Sequence, residues 1–273
     1  MKGSGVAGLA LWLLSLLVPS TMARADWSEY QLDQRCNKLS DTFFRSDASD
    51  WPKARIAEAN SYCRGSLAGL LLLAQIHIAS GEYEEGRQQL QLVDKLPGAD
   101  RSGRYRFWRG YLFARDKDYL HSLVEFRRAQ TQGGVDAWLI DYNTADVLMA
   151  AGRLDEAISA YRRAARAKPD HRSVMLGLAV ALDRAGDLEG AQKIFSQTLR
   201  GERHLDRVWP RGLVLFPAEE EHVYRGLLLA HLGRNKEACE ELGRFLAVAP
   251  NSPWAAHATE RLNTFALAVD QSK

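Results

Sequence analysis

Side chains that commonly carry catalysis or bind metals are scattered along the chain rather than clustered. The seven histidines are His77, His121, His171, His204, His222, His231 and His257. None of them stands in a His-Glu-x-x-His pattern, and the chain has no Cys-x-x-Cys pair, phosphate-binding glycine loop or nucleophile elbow. Carboxylate runs such as Glu219-Glu220-Glu221 stand where helices are expected to begin, and the helix dipole accounts for them. We therefore expect no enzyme activity, no cofactor and no metal site.

The three cysteines suit an oxidising compartment. Cys36 and Cys63 flank a predicted N-terminal helical pair and can form a disulfide there. The alternative is a pair of reduced, buried thiols. Cys239 follows Ala238 inside a predicted helix, and we interpret it as a small core residue.

The balance of charge argues against a nucleic-acid partner. The chain has 36 Lys and Arg against 34 Asp and Glu, and two of the basic residues, Lys2 and Arg24, lie in its first 25 residues. Without that segment the two signs are equal, and no run of Lys and Arg stands out. Proteins that bind nucleic acids need a basic patch to neutralise phosphates.

The N-terminus has the pattern of an export signal. Lys2 is followed by a largely apolar run of 13 residues from Val6 to Val18, and then by Ala23-Arg24-Ala25. Signal peptidase accepts small residues one and three places before the cut, and Ala25 and Ala23 fit those places. We therefore place cleavage after Ala25 and expect a periplasmic or secreted protein. The alternative is an uncleaved anchor. No second apolar stretch is long enough to span a bilayer.

One six-residue turn pattern recurs along the chain. It starts at Gly81, Gly152, Gly186 and Gly233, with a weaker copy at Lys117. Glycine ends a helix because it accepts the left-handed backbone conformation without steric cost. The acidic residues that follow favour the N-terminus of the next helix, and the small residue at the sixth place lets two helices approach closely.

The residues after each turn complete the unit. Gly152 is followed by Ala157, Tyr161, Ala164 and a closing Pro169, and the next unit begins exactly 34 residues later at Gly186. These spacings resemble the tetratricopeptide repeat over residues 67–252. The resemblance implies an all-α, right-handed solenoid of antiparallel helical hairpins. Repeat stacks also need caps at their ends.

We therefore divide the chain into four parts. Residues 1–25 form the signal peptide, 26–66 an N-terminal helical hairpin that acts as a cap, 67–252 the solenoid, and 253–269 a C-terminal capping helix. Ser252 and Pro253 suit the start of that last helix, as N-cap and first helical residue.

The resemblance also implies a binding surface, because the first helix of each hairpin lines a concave groove. In the register of this sequence the groove candidates are Phe107, Tyr111, Arg115, Tyr142, Asp146, Met149, Val180, Asp183, Arg184, Leu227 and His231. Rings and Arg are enriched at protein-binding sites. The alternative is that rings at helical spacing belong to the core between hairpins.

An insertion interrupts the repeat. The step from Gly186 to Gly233 is 47 residues, and the excess falls at about 201–218. This stretch contains Trp209 and Phe216 in an apolar setting, unlike an ordinary short polar loop. We predict that both residues contribute a partner contact. The alternative is that they fold back onto the neighbouring hairpins.

These features favour an exported scaffold or adaptor that binds protein partners of a cell-envelope assembly in its groove. A second interpretation is a periplasmic module that binds peptidoglycan or exopolysaccharide directly on exposed rings flanked by carboxylates. The candidate platforms are Tyr142 near Asp146 and Phe107 near Tyr111. A homo-oligomer is a third possibility, because the terminal helix carries an apolar face. That face comprises Ala255, Ala258, Leu262, Phe265 and Val269.

Overall fold

The computed structural model describes residues 65–200 and 217–271, together with residue 31, residues 34–39, residue 42 and residue 215. Over these residues the chain is α-helical, with two short 3-10 turns and no strand. The helices, which we number in chain order, are α1 Leu67–Ala79, α2 Tyr83–Val93, α3 Gly103–Arg115, α4 Tyr119–Gln132, α5 Ala137–Ala150, α6 Leu154–Ala167, α7 Arg172–Arg184, α8 Leu188–Leu199, α9 Glu221–His231, α10 Asn235–Val248 and α11 Ala255–Gln271.

The helices pack as consecutive pairs. Helix α1 pairs with α2, α3 with α4, α5 with α6, α7 with α8 and α9 with α10, while α11 packs on α10. Neighbouring pairs contact each other chiefly through α4 with α5 and α6 with α7. This arrangement confirms the predicted right-handed solenoid of antiparallel hairpins. We call the face lined by the first helices α1, α3, α5, α7 and α9 the concave face.

The predicted turns lie where the glycine pattern put them. Gly152, Gly186 and Gly233 adopt φ values of 74°, 80° and 76°, in the left-handed region that glycine enters freely. The main-chain N–H of Arg153 donates to the carbonyl of Leu148 at 2.8 Å and closes the end of α5. At the weaker copy the same conformation is adopted by Lys117, with φ of 63°.

Small residues allow the helices to approach closely. A Cβ atom added at Gly110 in α3 would lie 2.8 Å from the Phe126 ring in α4. A Cβ atom added at Gly177 in α7 would lie 2.4 Å from the Tyr161 ring, which is completely buried in α6. Contacts this short exclude any side chain, so the spacing of these helices depends on glycine.

The terminal helix caps the last hairpin. Ala258 and Phe265 on its apolar face are buried, while Leu267 remains exposed. The helix begins at Ala255, two residues after the predicted start, and continues to Gln271. Ser252 still caps the turn that leads into it, because its hydroxyl accepts a hydrogen bond from the main-chain N–H of Trp254 at 3.2 Å.

Several predicted features lie outside the described residues. They are the signal peptide at 1–25, Cys63, Trp209, Phe216 and most of the ranges 26–66 and 201–218. Cys36 is buried and disulfide-bonded, and Cys239 is a free, partly buried thiol. Within the described part of the chain, no helix has both the length and the apolar character needed to cross a membrane.

We predict that Gly177→Ala destabilises the protein by about 1–3 kcal/mol, because the new methyl group overlaps a ring that has no room to move. The control is Gly243→Ala in α10, where an added Cβ meets nothing within 4 Å. That change is expected to stabilise the helix by roughly 0.5–1 kcal/mol. Urea denaturation of both variants is the measurement, and equal effects would show that close packing does not set the helix spacing.

Candidate functional site

Most of the predicted groove residues are buried. The described candidates that lie in the interior are Phe107, Tyr111, Tyr142, Asp146, Met149, Val180, Asp183, Arg184 and Leu227. Only Arg115 among the candidates is exposed, with its guanidinium carbon 4.7 Å from the Tyr83 ring centroid, while His231 is partly exposed beside Phe195. The other candidates are thus buried in this structure, and their role in partner binding stays a prediction.

A buried carboxylate, Asp146, lies at the centre of the concave face. The hydroxyl of Tyr161 donates to its Oδ1 atom at 2.5 Å, and the main-chain N–H of Leu215 donates to its Oδ2 atom at 3.2 Å. Leu215 is itself buried and belongs to the apolar cluster that contains Phe107. One carboxylate thus joins α5 and α6 to the residues that precede α9.

Burial sets the ionisation of this cluster. Removal from water raises the pKa of Asp146 to about 7, although its hydrogen bonds act in the opposite direction. Burial also raises the pKa values of Tyr142, Tyr161 and Tyr224 above the usual value of 10.0. The tyrosines therefore keep their protons at neutral pH and act as hydrogen-bond donors.

A buried ion pair forms the second contact across the concave face. Arg184 at the end of α7 pairs with Glu220, and their side chains are 1% and 7% exposed. The hydroxyl of Ser252 lies 3.4 Å from the other carboxylate oxygen of Glu220. The Arg184 guanidinium carbon also lies 4.4 Å from the ring centroid of Trp254, in a cation–π contact.

The start of the terminal region provides the third contact. The indole N–H of Trp254 donates to the carbonyl of Met149 in α5 at 3.0 Å. In α11, Nε2 of His257 lies 2.8 Å from Oδ1 of Asp183, and Nε of Arg261 lies 3.4 Å from the same oxygen. Trp254 therefore contacts α5, and the capping helix contacts α7 as well as the hairpin that precedes it in sequence.

We call Leu215, Glu220, Trp254 and His257 the covering residues, and none of them was among the predicted site residues. The helix dipole accounts for Glu220 at the sequence level. The sequence gives no signal for the contact of Glu220 with Arg184 or for that of Leu215 with Asp146.

The open surface lies on the opposite side, between second helices. A cleft of about 670 Å³ separates α4 from α6, with α5 as its floor. Leu120 and Val124 on its α4 wall are 71% and 40% exposed. On the other wall, Arg163 reaches down to Asp141 with an N···O distance of 2.8 Å. We call this feature the outer cleft.

The described residues contain no group of His, Cys, Asp and Glu side chains that could hold a metal ion. The concave face offers buried hydrogen-bond acceptors, one buried cation and apolar surface. Such groups can hold a main-chain N–H, a carboxylate and an apolar side chain.

Comparison with known proteins supports the repeat assignment. Sequence models of the tetratricopeptide repeat match residues 148–209 and residues 67–91. Over these two stretches the sequence is similar to tetratricopeptide repeats. No curated protein sequence matches it significantly.

Solved structures share the fold at low sequence identity. PilW, described as a widely conserved type IV pilus biogenesis factor, is 17% identical, with a TM-score of 0.52 over 86% of this chain and 98% of that one. PilF of Pseudomonas aeruginosa is 12% identical, with a TM-score of 0.52 over 84% of this chain and 97% of that one. At these identities the likeness shows the solenoid fold alone.

We predict a specific pH dependence from Asp146. Its pKa in the folded state, about 7, lies above the ordinary value of 3.8. The stabilisation that goes with this raised pKa is complete below about pH 4 and is lost as the pH rises through 7, by up to about 4 kcal/mol. Asp146→Asn cannot ionise, so the free energy of unfolding of the wild type minus that of the variant should fall between pH 4 and pH 7. Urea denaturation across this range is the measurement, and a constant difference would contradict the burial of an ionisable Asp146.

Proposed function

We propose that this protein is an exported adaptor that binds extended segments of protein partners in a cell-envelope assembly on its concave face. The observation that carries the proposal is how that face holds the chain's own covering residues. Asp146 accepts a main-chain N–H and Arg184 pairs with a carboxylate. A peptide ligand would use the same two kinds of group.

The repeat class supports a binding role. Tetratricopeptide hairpins stack into an extended surface, and repeat solenoids use such surfaces to hold partners. The first helices of this chain supply both apolar and charged groups on one face, which suits a segment with mixed side chains.

The envelope setting rests on the N-terminal segment. A positive residue, an apolar run and Ala23-Arg24-Ala25 are the parts of a cleaved export signal, and Cys36 is disulfide-bonded, as suits an oxidising compartment. PilW, which shares the fold, is a pilus biogenesis factor. An envelope assembly of that kind is therefore the setting we propose, while the specific assembly stays open.

The burial of the predicted aromatic platforms argues against direct binding of a glycan. Sugar sites need exposed rings, and the predicted platforms are buried: Tyr142 beside Asp146, and Phe107 beside Tyr111. Oligomerisation through α11 also has less apolar surface than predicted, because Ala258 and Phe265 face the last hairpin.

We predict that the tagged chain, crosslinked in envelopes of its native host, recovers a small and reproducible set of envelope proteins. Its intact mass should correspond to a chain that begins at Asp26. Mass spectrometry of the purified complexes is the measurement for both. The compartment control is a chain without residues 1–25, which should remain in the cytoplasm and recover none of them.

A surface control accompanies this experiment. Leu120 lies in the outer cleft and is 71% exposed, so the charge introduced by Leu120→Asp should leave the fold intact. Unchanged recovery is expected if partners bind the concave face, whereas selective loss would move the binding site to the outer cleft. Recovery of no partner from correctly exported protein would contradict the proposed function.

A further inference from the structure

The covering residues Leu215 and Glu220 lie across three first helices. The Leu215 side chain is 5% exposed and belongs to an apolar cluster with members in each of the helices α1 to α5, while its N–H donates to Asp146 in α5. Glu220 pairs with Arg184 in α7, and the neighbouring Glu219 lies 3.3 Å from Nζ of Lys117, in the turn after α3. Leu215, Glu219 and Glu220 thus contact α5, the turn after α3 and α7, respectively.

Leu215 contacts a hairpin that the chain has already passed. Helix α8 ends at Leu199 and α9 begins at Glu221, and these two helices belong to adjacent hairpins. Leu215 nevertheless contacts α5, which belongs to the hairpin before α7 and α8. Leu215 thus places an apolar side chain, and Glu220 a carboxylate, on the face where the repeat class holds ligands.

The contacts that hold these residues are of a kind that another chain can replace. A buried ion pair contributes little net stability, because desolvation of both charges offsets their attraction, whereas breaking it leaves a costly unpaired charge. A carboxylate from another chain could pair with Arg184 in place of Glu220. The main-chain N–H on Asp146 carries no side-chain identity, so any non-proline residue can donate it.

We propose that the concave face is a peptide site occupied by the chain's own Leu215 and Glu220, and that its partners compete for it with the same chemistry. This inference rests on the proposed function and specifies the partner. The partner presents an extended segment with an aliphatic residue whose main-chain N–H can donate to Asp146. A carboxylate five residues further along pairs with Arg184. Leu215 and Glu220 belong to the same chain as the site, so their effective concentration at the site is on the order of millimolar. A partner segment must compete against that concentration.

The test uses a synthetic nonapeptide with the sequence of residues 213–221, Leu-Val-Leu-Phe-Pro-Ala-Glu-Glu-Glu. Its binding to the mature wild-type chain and to the double variant Leu215→Ala, Glu220→Gln is measured by isothermal titration calorimetry. The variant should bind the peptide at least about tenfold more tightly, because its own residues no longer fill the site. Circular dichroism confirms that both proteins are folded.

Two matched controls separate the site from non-specific attraction. A peptide with Ala and Gln at the positions of Leu215 and Glu220 should not bind. Adding Arg184→Met to the double variant should abolish binding of the native peptide. Equal binding of the native peptide to folded wild type and folded double variant, or no binding to either, would overturn the proposal.

Native-state hydrogen exchange of the wild-type chain provides a test that needs no variant. If the covering residues leave the concave face without unfolding the solenoid, the Leu215 amide should exchange at least about tenfold faster than the most protected amides of α5 and α7. Exchange of the Leu215 amide only with global unfolding would show a permanent structural contact and overturn the proposal. Recovery of envelope partners alongside that result would leave the proposed function intact, so the two failures are distinguishable.

Discussion

The guanidinium of Arg184 imposes the constraint on which the arrangement of the concave face depends. A charge that is only 1% exposed must be paired, because an isolated ion in the protein interior is too costly to keep. Glu220 supplies the carboxylate and Trp254 covers the other side of the guanidinium. The ion pair thus fixes the position at which the chain enters α9, and the cation–π contact brings the start of the terminal region onto α7. Through Trp254 and Met149 the same set of contacts extends to α5.

The local features of the fold could be predicted because each depends on residues close in sequence. Gly152, Gly186 and Gly233 end their helices through their own backbone preference, and Lys117 holds the same conformation because the flanking helices impose it. Small residues at fixed spacing set the approach of helices, as the Gly177 contact with Tyr161 shows. A repeat with this regularity therefore determines its hairpins from sequence alone.

The covering of the concave face could not be predicted in the same way. The register predicts that Asp146, Asp183 and Arg184 share one face, but it carries no information about which distant segment lies against them. Asp146 pairs with the N–H of Leu215, 69 residues later, and Asp183 with His257, 74 residues later. Contacts between such distant positions depend on the path of an insertion and on the angle of a capping helix, which the repeat does not specify. The predicted rings were therefore assigned to an open groove, although they are buried.

Selective oxidation of methionine shows whether the chain's own residues cover the concave face. Met149, whose carbonyl accepts the indole N–H of Trp254, is 2% exposed, whereas Met175 in α7 is partly exposed. Treatment of the mature chain with dilute hydrogen peroxide, followed by peptide mass spectrometry, compares the two residues within one molecule. If the face is covered, Met175 is oxidised while Met149 stays protected until the protein is unfolded. Oxidation of Met149 at the rate of Met175 in the folded protein would instead show that the groove is open.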